Sequence, residues 1–252
     1  MKNNYYFKKN FSNIYEKSSK LSKISSQILY GEKFKILSKN NDWLKIKTSF
    51  DNYIGYIKSP NYISKFKPTH KIFKLKSKIY LRSKDNKYYQ TKYYLPFASK
   101  LSILRINKKF IEYEKNKWIP KSDIKKINHN EKNYLKILKL FLNTKYTWGG
   151  KNFKGIDCSA ILQLFYYYNK KFYPRDTKDQ VKYSKKSSRI KKFKKGNIIF
   201  WKGHVAICIN SSQLIHAYGP KKKVLIMPIN YTINKILKTA NLKVKKISHI
   251  IN

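Results

Sequence analysis

The sequence predicts an α+β protein, with an all-β N-terminal half followed by helices packed on antiparallel hairpins. Three observations carry this. Turn signals recur at roughly ten-residue spacing through residues 12–66, which suits short strands. Apolar residues at 161, 162, 164, 165 and 168 follow the i, i+1, i+3, i+4, i+7 stripe of a helix. From Gly196 onward the period shortens to that of strands joined by connections too short for crossovers.

The first strands are Gln27–Leu37, broken by Gly31-Glu32, then Trp43–Lys47 after the turn Asn40-Asn41-Asp42, then Tyr53–Ile57 after Asp51-Asn52. Short strands with polar turns at this spacing point to a small barrel. Residues 70–127 repeat the texture more weakly, with strand-like runs at Lys78–Leu81, Ser102–Ile106, Phe110–Tyr113 and Trp118–Pro120. Trp118 follows a Lys-Asn-Lys turn much as Trp43 follows Asn41-Asp42, so a second, degenerate barrel is expected there. A short amphipathic helix is expected within residues 130–142, where Tyr134, Leu135, Ile137, Leu138, Phe141 and Leu142 share a face. Pro174 stops one helix, and another begins near Thr177. Gly196–Trp201, His204–Ile209, Gln213–Tyr218 and Val224–Ile226 then read as successive strands.

Residues 146–159 stand out in this frame. They hold three of the chain's eight glycines, Gly149, Gly150 and Gly155, where the backbone needs positive φ or close approach of another segment. Asp157 occupies the N-cap position of the predicted helix. Cys158 then falls in the first turn, where free N–H groups and the helix dipole favour a thiolate. A cysteine in such a place is also a common core residue, so the rest of the chain decides its role. His204 and His216 fall on consecutive strands around a turn near residue 211. Across such a hairpin they are opposite or diagonal on one face, unless the register slips by a residue. If the cysteine helix packs on that face, Cys158, His204 and His216 form a line of thiol, imidazole base and orienting imidazole. Backbone N–H groups at the helix start would receive the oxyanion. Zinc held by the same three residues is the alternative chemistry, but no HxH or HExxH spacing is present, and neither metal nor cofactor is expected. Cys208 reads as a core filler, and His70, His129 and His249 as surface residues.

Composition bounds the rest. The 252 residues carry 58 Lys and Arg against 12 Asp and Glu, for a net charge of +46. The basic residues are spread over the whole chain and accompany an excess of Asn, Ile and Tyr, the bias of an AT-rich genome. Nucleic acid is therefore discounted as a partner, although a polyanion-binding module remains a rival. Two cysteines suggest neither a disulfide framework nor a zinc site and fit a reducing compartment. The N-terminal residues have no export-type apolar region and no stretch approaches a membrane span; a cytoplasmic location is the expectation.

Taken in order, Tyr146-x-Trp148-Gly149-Gly150, Gly155-Ile156-Asp157-Cys158-Ser159, Pro174-Arg175-Asp176 with Gln180, Gly196–Trp201, Gly203–Ile207 and Ile215-His216-Ala217 resemble the NlpC family of papain-like cell-wall cysteine peptidases. Ala160 stands where that family often has glycine, and Lys145 where proline often precedes the tyrosine. The Gly-Glu, turn-Trp and Tyr-x-Gly-Tyr segments of residues 20–60 resemble bacterial SH3-like domains. The resemblance implies SH3-like barrels at 1–67 and 68–128 and a peptidase domain at 129–252. It implies Cys158 as nucleophile, His204 as base and His216 as third member. It further implies a γ-D-glutamyl-L-diamino acid endopeptidase acting on murein peptides with a free N-terminal L-Ala. Asp157 is suited to hold that ammonium, Ser159 and Tyr146 to line the pocket, and Tyr53 (with Glu32 a weaker candidate) to contribute from the first barrel. The rival within the enzyme class is an exported hydrolase of intact wall.

Overall fold

The computed structural model describes residues 4–185, 187 and 192–250; residues 1–3 of the N-terminal stretch discussed above lie outside them. The chain divides into two compact units, Met1–Asn130 and Glu131–Asn252.

In the first unit, strands β1 (Asn4–Phe7), β2 (Phe11–Tyr15), β3 (Ile24–Leu29), β4 (Lys33–Asn40), β5 (Trp43–Thr48), β6 (Ile54–Lys58) and β7 (Tyr62–Ile63) form a seven-stranded sheet in the order β3-β2-β6-β5-β4-β1-β7. Alternation buries Leu44, Ile46 and Thr48 on β5, as the period-2 pattern requires. Leu44 and Ile46 join Phe7, Ile14, Ile28, Phe34 and Ile57 in one core cluster.

The remainder of this unit contains β8 (His70–Ile72), β9 (Lys76–Arg82), β10 (Tyr88–Pro96), β11 (Lys100–Leu101), β12 (Arg105–Ile106), β13 (Phe110–Glu114), β14 (Lys117–Pro120) and β15 (Ile124–Lys126). They form a five-stranded sheet, β10-β9-β14-β13-β12, and a three-stranded one, β11-β8-β15. The likeness of the two tryptophan turns is visible in the backbone. Asn41 and Asn116, each two residues before its Trp, both have positive φ, 47° and 55°, a conformation Asn tolerates in tight turns. Tyr30, from the first sheet's segment, packs into the second core with Ile72, Leu95, Ile111 and Ile119. Beside it, Gly31 has φ +73° and a Cβ there would meet the Lys100 carbonyl oxygen at 2.0 Å, so only glycine fits.

The second unit is built on a five-stranded antiparallel sheet. Its strands are β18 (Asn197–Trp201), β19 (His204–Cys208), β20 (Gln213–Tyr218), β21 (Lys223–Pro228) and β22 (Lys246–His249), after the small hairpin β16 (Lys151–Asn152) and β17 (Gly155–Ile156). The sheet order is β21-β20-β19-β18-β22. Four helices accompany it: α1 (Tyr134–Leu140), α2 (Cys158–Tyr168), α3 (Thr177–Tyr183) and α4 (Ile229–Ala240). Every residue of α2 is buried, which goes beyond the one-sided stripe expected of it and marks a helix surrounded by protein. Neither α4 nor β22 was anticipated. In α4, Ile229, Thr232 and Ile236 turn inward, and β22 closes the sheet by pairing with β18 from Asn197↔His249 to Phe200↔Lys246. Among the described residues no helix is long and apolar enough to cross a membrane.

Candidate active site

The glycine loop before α2 is tight for identifiable reasons. Gly149 has φ +71°, and a Cβ on Gly155 would lie 2.1 Å from the Thr147 hydroxyl. This packing delivers the chain to Asp157, the N-cap of α2, whose Oδ1 accepts from Ala160 N–H at 2.8 Å. The same carboxylate accepts from Gly149 N–H at 3.0 Å and Ser159 Oγ at 3.0 Å. Arg175, 3% exposed, closes on it with Nη1 to Oδ1 at 3.0 Å and Nη2 to Oδ2 at 2.7 Å. Arg175 Nη1 also donates to Ser159 Oγ at 2.8 Å. Asp157 and Ser159 are therefore built into a buried, charge-compensated network. Asp157, which sequence reasoning sets against the substrate ammonium, thus carries a charge paired with Arg175 and has both oxygens hydrogen-bonded.

Cys158 begins α2 and is 4% exposed. Its Sγ lies 3.9 Å from the Gly203 carbonyl oxygen, the residue before His204. Burial pushes the thiol up to about 11, with Asp157's charge adding to the rise, while the Val205 N–H and the Thr177 hydroxyl act in the opposite sense. The favourable field of a helix start is thus outweighed by desolvation, and the resting sulfur is a thiol. Thr177, at the start of α3, is a contact of the Cys158 thiol that sequence reasoning did not assign. Its nearness to Pro174-Arg175-Asp176 was the available signal.

His204 and His216 meet directly, Nε2 to Nδ1 at 2.9 Å. The β19–β20 register, Ile207↔Ile215 and Cys208↔Leu214, makes them diagonal neighbours on one face. Their strands carry Ala206, Cys208, Leu214 and Tyr218 on that face, and these cluster with Ile229 and Ile236 of α4. The histidine face is therefore the one α4 covers, and no residue of α2 belongs to that cluster. Cys158 reaches the pair at the start of β19 rather than by α2 lying over the histidines. No hydrogen bond joins Cys158 to His204 among the described residues, a looseness usual before substrate binds. Burial lowers His204 to about 4, and His216 is held well below its ordinary value by burial and by His204 beside it. Both rings rest neutral. Tyr218 stacks on His216 with centroids 4.7 Å apart and planes 10° apart.

Tyr146 is half-buried, with its hydroxyl raised by burial and by the fields of Cys158 and Asp157. It remains a phenol, able to donate toward the site. Asp176, also half-buried, is the N-cap of α3 but makes no side-chain capping bond. Burial raises its carboxyl above the ordinary range, with Arg175 opposing and Asp157 adding to the rise. In the first unit, the Tyr53 hydroxyl donates to the Ser25 carbonyl at 3.3 Å. Glu32, 1% exposed, accepts from Leu29 N–H at 3.0 Å. Among the described residues no cluster of three or more His, Cys, Asp or Glu side chains is arranged to hold a metal ion.

A cysteine at a helix start, beside two hydrogen-bonded histidines on an antiparallel sheet, defines a papain-like cysteine hydrolase. The family model for NlpC/P60 matches residues 143–241, and that for the bacterial dipeptidyl-peptidase SH3 domain matches residues 14–60. The chain carries a cysteine peptidase domain of the NlpC/P60 family preceded by an SH3 domain of the dipeptidyl-peptidase type. It is 24% identical over 229 residues to dipeptidyl-peptidase 6 of Lysinibacillus sphaericus, covering 82% of this chain and 84% of that one. It is 32% identical over 102 residues to a γ-D-glutamyl-L-lysine dipeptidyl-peptidase of Bacillus cereus, covering 36% of this chain and 30% of that one. The crystal structure of an NlpC/P60 family protein from Bacillus cereus superposes with a TM-score of 0.76 at 19% identity, covering 90% and 94% of the two chains.

Proposed function

We propose that this protein cleaves the bond between γ-D-Glu and the diamino acid in peptidoglycan stem peptides that carry a free N-terminal L-Ala. The observation that carries the chemistry is the 2.9 Å contact between His204 and His216 beside the buried thiol of Cys158. With Nε2 of His204 given to His216, its Nδ1 is the nitrogen left for the thiol proton. As that proton transfers, Sγ attacks the substrate carbonyl. We assign the oxyanion to the Cys158 backbone N–H and the Tyr146 hydroxyl. His204 then returns the proton to the leaving amine, and water, deprotonated by the same ring, hydrolyses the thioester.

The substrate class rests on the named activities of the relatives and on the SH3 match at residues 14–60. We assign residues 1–67 and 68–128 to two SH3-like barrels, with Tyr53 as the first barrel's contribution to substrate recognition. Because Arg175 compensates Asp157, the carboxylate proposed to face the L-Ala ammonium is Asp176, which adjoins Thr177 and has no hydrogen-bonded side-chain partner among the described residues. Ser159 and Asp157 shape the pocket behind it. A free L-Ala amine exists only after the stem has been cut from the glycan, so trimmed, soluble peptides in the cytoplasm are the proposed substrate pool.

The test is hydrolysis of L-Ala-γ-D-Glu-diaminopimelate beside the same peptide with its amine acetylated, with Cys158→Ala as control. Cleavage of the free peptide alone is expected. Equal cleavage of both would refute the amine requirement, and turnover by Cys158→Ala would refute the nucleophile.

A further inference from the structure

His216 has no solvent exposure, so its two ring nitrogens must be satisfied inside the protein. Nδ1 faces His204 Nε2 at 2.9 Å, and Nε2 faces the thioether sulfur of Met227 at 3.3 Å. Met227 lies on β21, is 6% exposed and belongs to the same core cluster as Tyr218 and Leu214. A thioether has lone pairs and no hydrogen, so it can only accept. A neutral imidazole has a single N–H to place. On Nε2, that proton is donated to sulfur, and Nδ1 offers its lone pair to His204. On Nδ1, the bare Nε2 opposes the sulfur lone pairs. His204 must then accept at Nε2 and carry its own proton on Nδ1, the nitrogen needed bare for the Cys158 proton.

We propose that Met227 is a positioning residue that sets the tautomers of both histidines: its sulfur fixes the proton of His216 on Nε2 and thereby leaves Nδ1 of His204 free to act as base. The inference rests on the reading of Cys158 and His204 as nucleophile and base. It adds a consequence for the proton's path. The sulfur accepts a hydrogen bond without taking the proton, so the proton removed from Cys158 stops at His204 and stays available to the leaving amine. Tyr218, stacked on His216, keeps the ring in the plane this contact needs.

The sequence permits a one-atom test. Met1 and Met227 are the only methionines, so biosynthetic replacement by norleucine exchanges sulfur for methylene at one internal position. Selenomethionine supplies the matching control, since selenium also accepts. Three readouts are compared: the tautomer of His216 by two-bond ¹H–¹⁵N correlation, the kcat and KM of peptide hydrolysis, and the rate of Cys158 alkylation by iodoacetamide. The last needs no knowledge of the substrate.

The methionine and selenomethionine proteins should show the Nε2–H form and equal rates. The norleucine protein should show mixed tautomers, with kcat and alkylation each lowered about tenfold, less than the roughly 10²–10⁴-fold that a general base contributes because part of the population keeps the productive tautomer, and KM unchanged. Met227→Leu should behave as norleucine does. An Nδ1–H tautomer in the native protein would overturn the proposal. So would unchanged rates with norleucine, or a rate loss with no change of tautomer. Failure of the underlying reading looks different: Cys158→Ala or His204→Ala would then retain hydrolysis, whatever the tautomer of His216.

Discussion

Replacing Arg175 by Met should destabilise the peptidase unit far more than loss of a surface ion pair would. The guanidinium makes two charged hydrogen bonds to Asp157, one to Ser159 Oγ at 2.8 Å and one to the Gly150 carbonyl at 3.3 Å. Its side chain is 1% exposed and that of Asp157 is 9% exposed. Removing one partner of a buried pair leaves the other's charge uncompensated, which costs about 3–5 kcal/mol. The Lys136–Glu131 pair, at 3.5 Å with the lysine 63% exposed, is worth at most about 1 kcal/mol. Native-state hydrogen exchange at the amides of α2 reads the difference locally, without assuming that the two units unfold together. A 3 kcal/mol loss corresponds to roughly 150-fold faster exchange. Asp157→Asn should cost a similar amount. The double variant should lose less than the sum, with a coupling of about 1–3 kcal/mol. An Arg175→Met protein whose α2 amides exchange within about fivefold of the native rate, about 1 kcal/mol, would refute the view that this pair holds the cysteine helix start.

Other expectations follow from the site. Because His204 is depressed to about 4, the unfolded chain takes up its proton first as pH falls from about 6.5. Stability should therefore be full well above pH 6.5 and decline by about 3 kcal/mol toward pH 4, and acid titration of His204→Asn should lack that component. With Cys158 pushed up to about 11, its alkylation should rise about tenfold per pH unit from pH 7 to 9; a plateau across that range would mean a preformed thiolate–imidazolium pair instead. Asp176→Asn should raise KM several-fold for the free-amine peptide and leave any residual cleavage of the acetylated peptide unchanged, as steady-state kinetics would show. Gly155→Ala, which sets a methyl against Thr147, should lower the melting temperature and, by moving the Asp157 turn, reduce kcat as well.

The parts of this molecule legible in its sequence are those governed by short-range periodicity. The stripe from Ile161 to Tyr168, the hairpin carrying His204 and His216 and the Trp43 turn repeat a geometry that spacing alone encodes. Contacts made across the fold were less accessible. Arg175 lies 18 residues from Asp157, and no local rule pairs such residues. Met227, 11 residues from His216, is its diagonal neighbour across the β20–β21 hairpin but falls one residue past the strand read at Val224–Ile226. In the sequence nothing beside Asp157 announces the arginine that pairs with it. Helix α4 did have a signal, apolar positions at 229, 233, 236 and 237, but it is diluted by polar neighbours and went unread. The histidines were placed correctly relative to each other because a strand's period is two. Their relation to the cysteine helix depends on which element covers which face, which periodicity does not state.

Strand β22 has a consequence for how the peptidase comes into being. It is the last strand described, yet it lies against β18, which together with β19 forms the hairpin that presents His204. During synthesis the edge of β18 stays unpaired until residue 249 has cleared the ribosome. Until then the ladder beside His204 lacks its outer rung, and its free N–H and C=O groups invite pairing with another chain. Competence to hydrolyse should thus arrive late and abruptly, after translation has passed every residue that performs the chemistry.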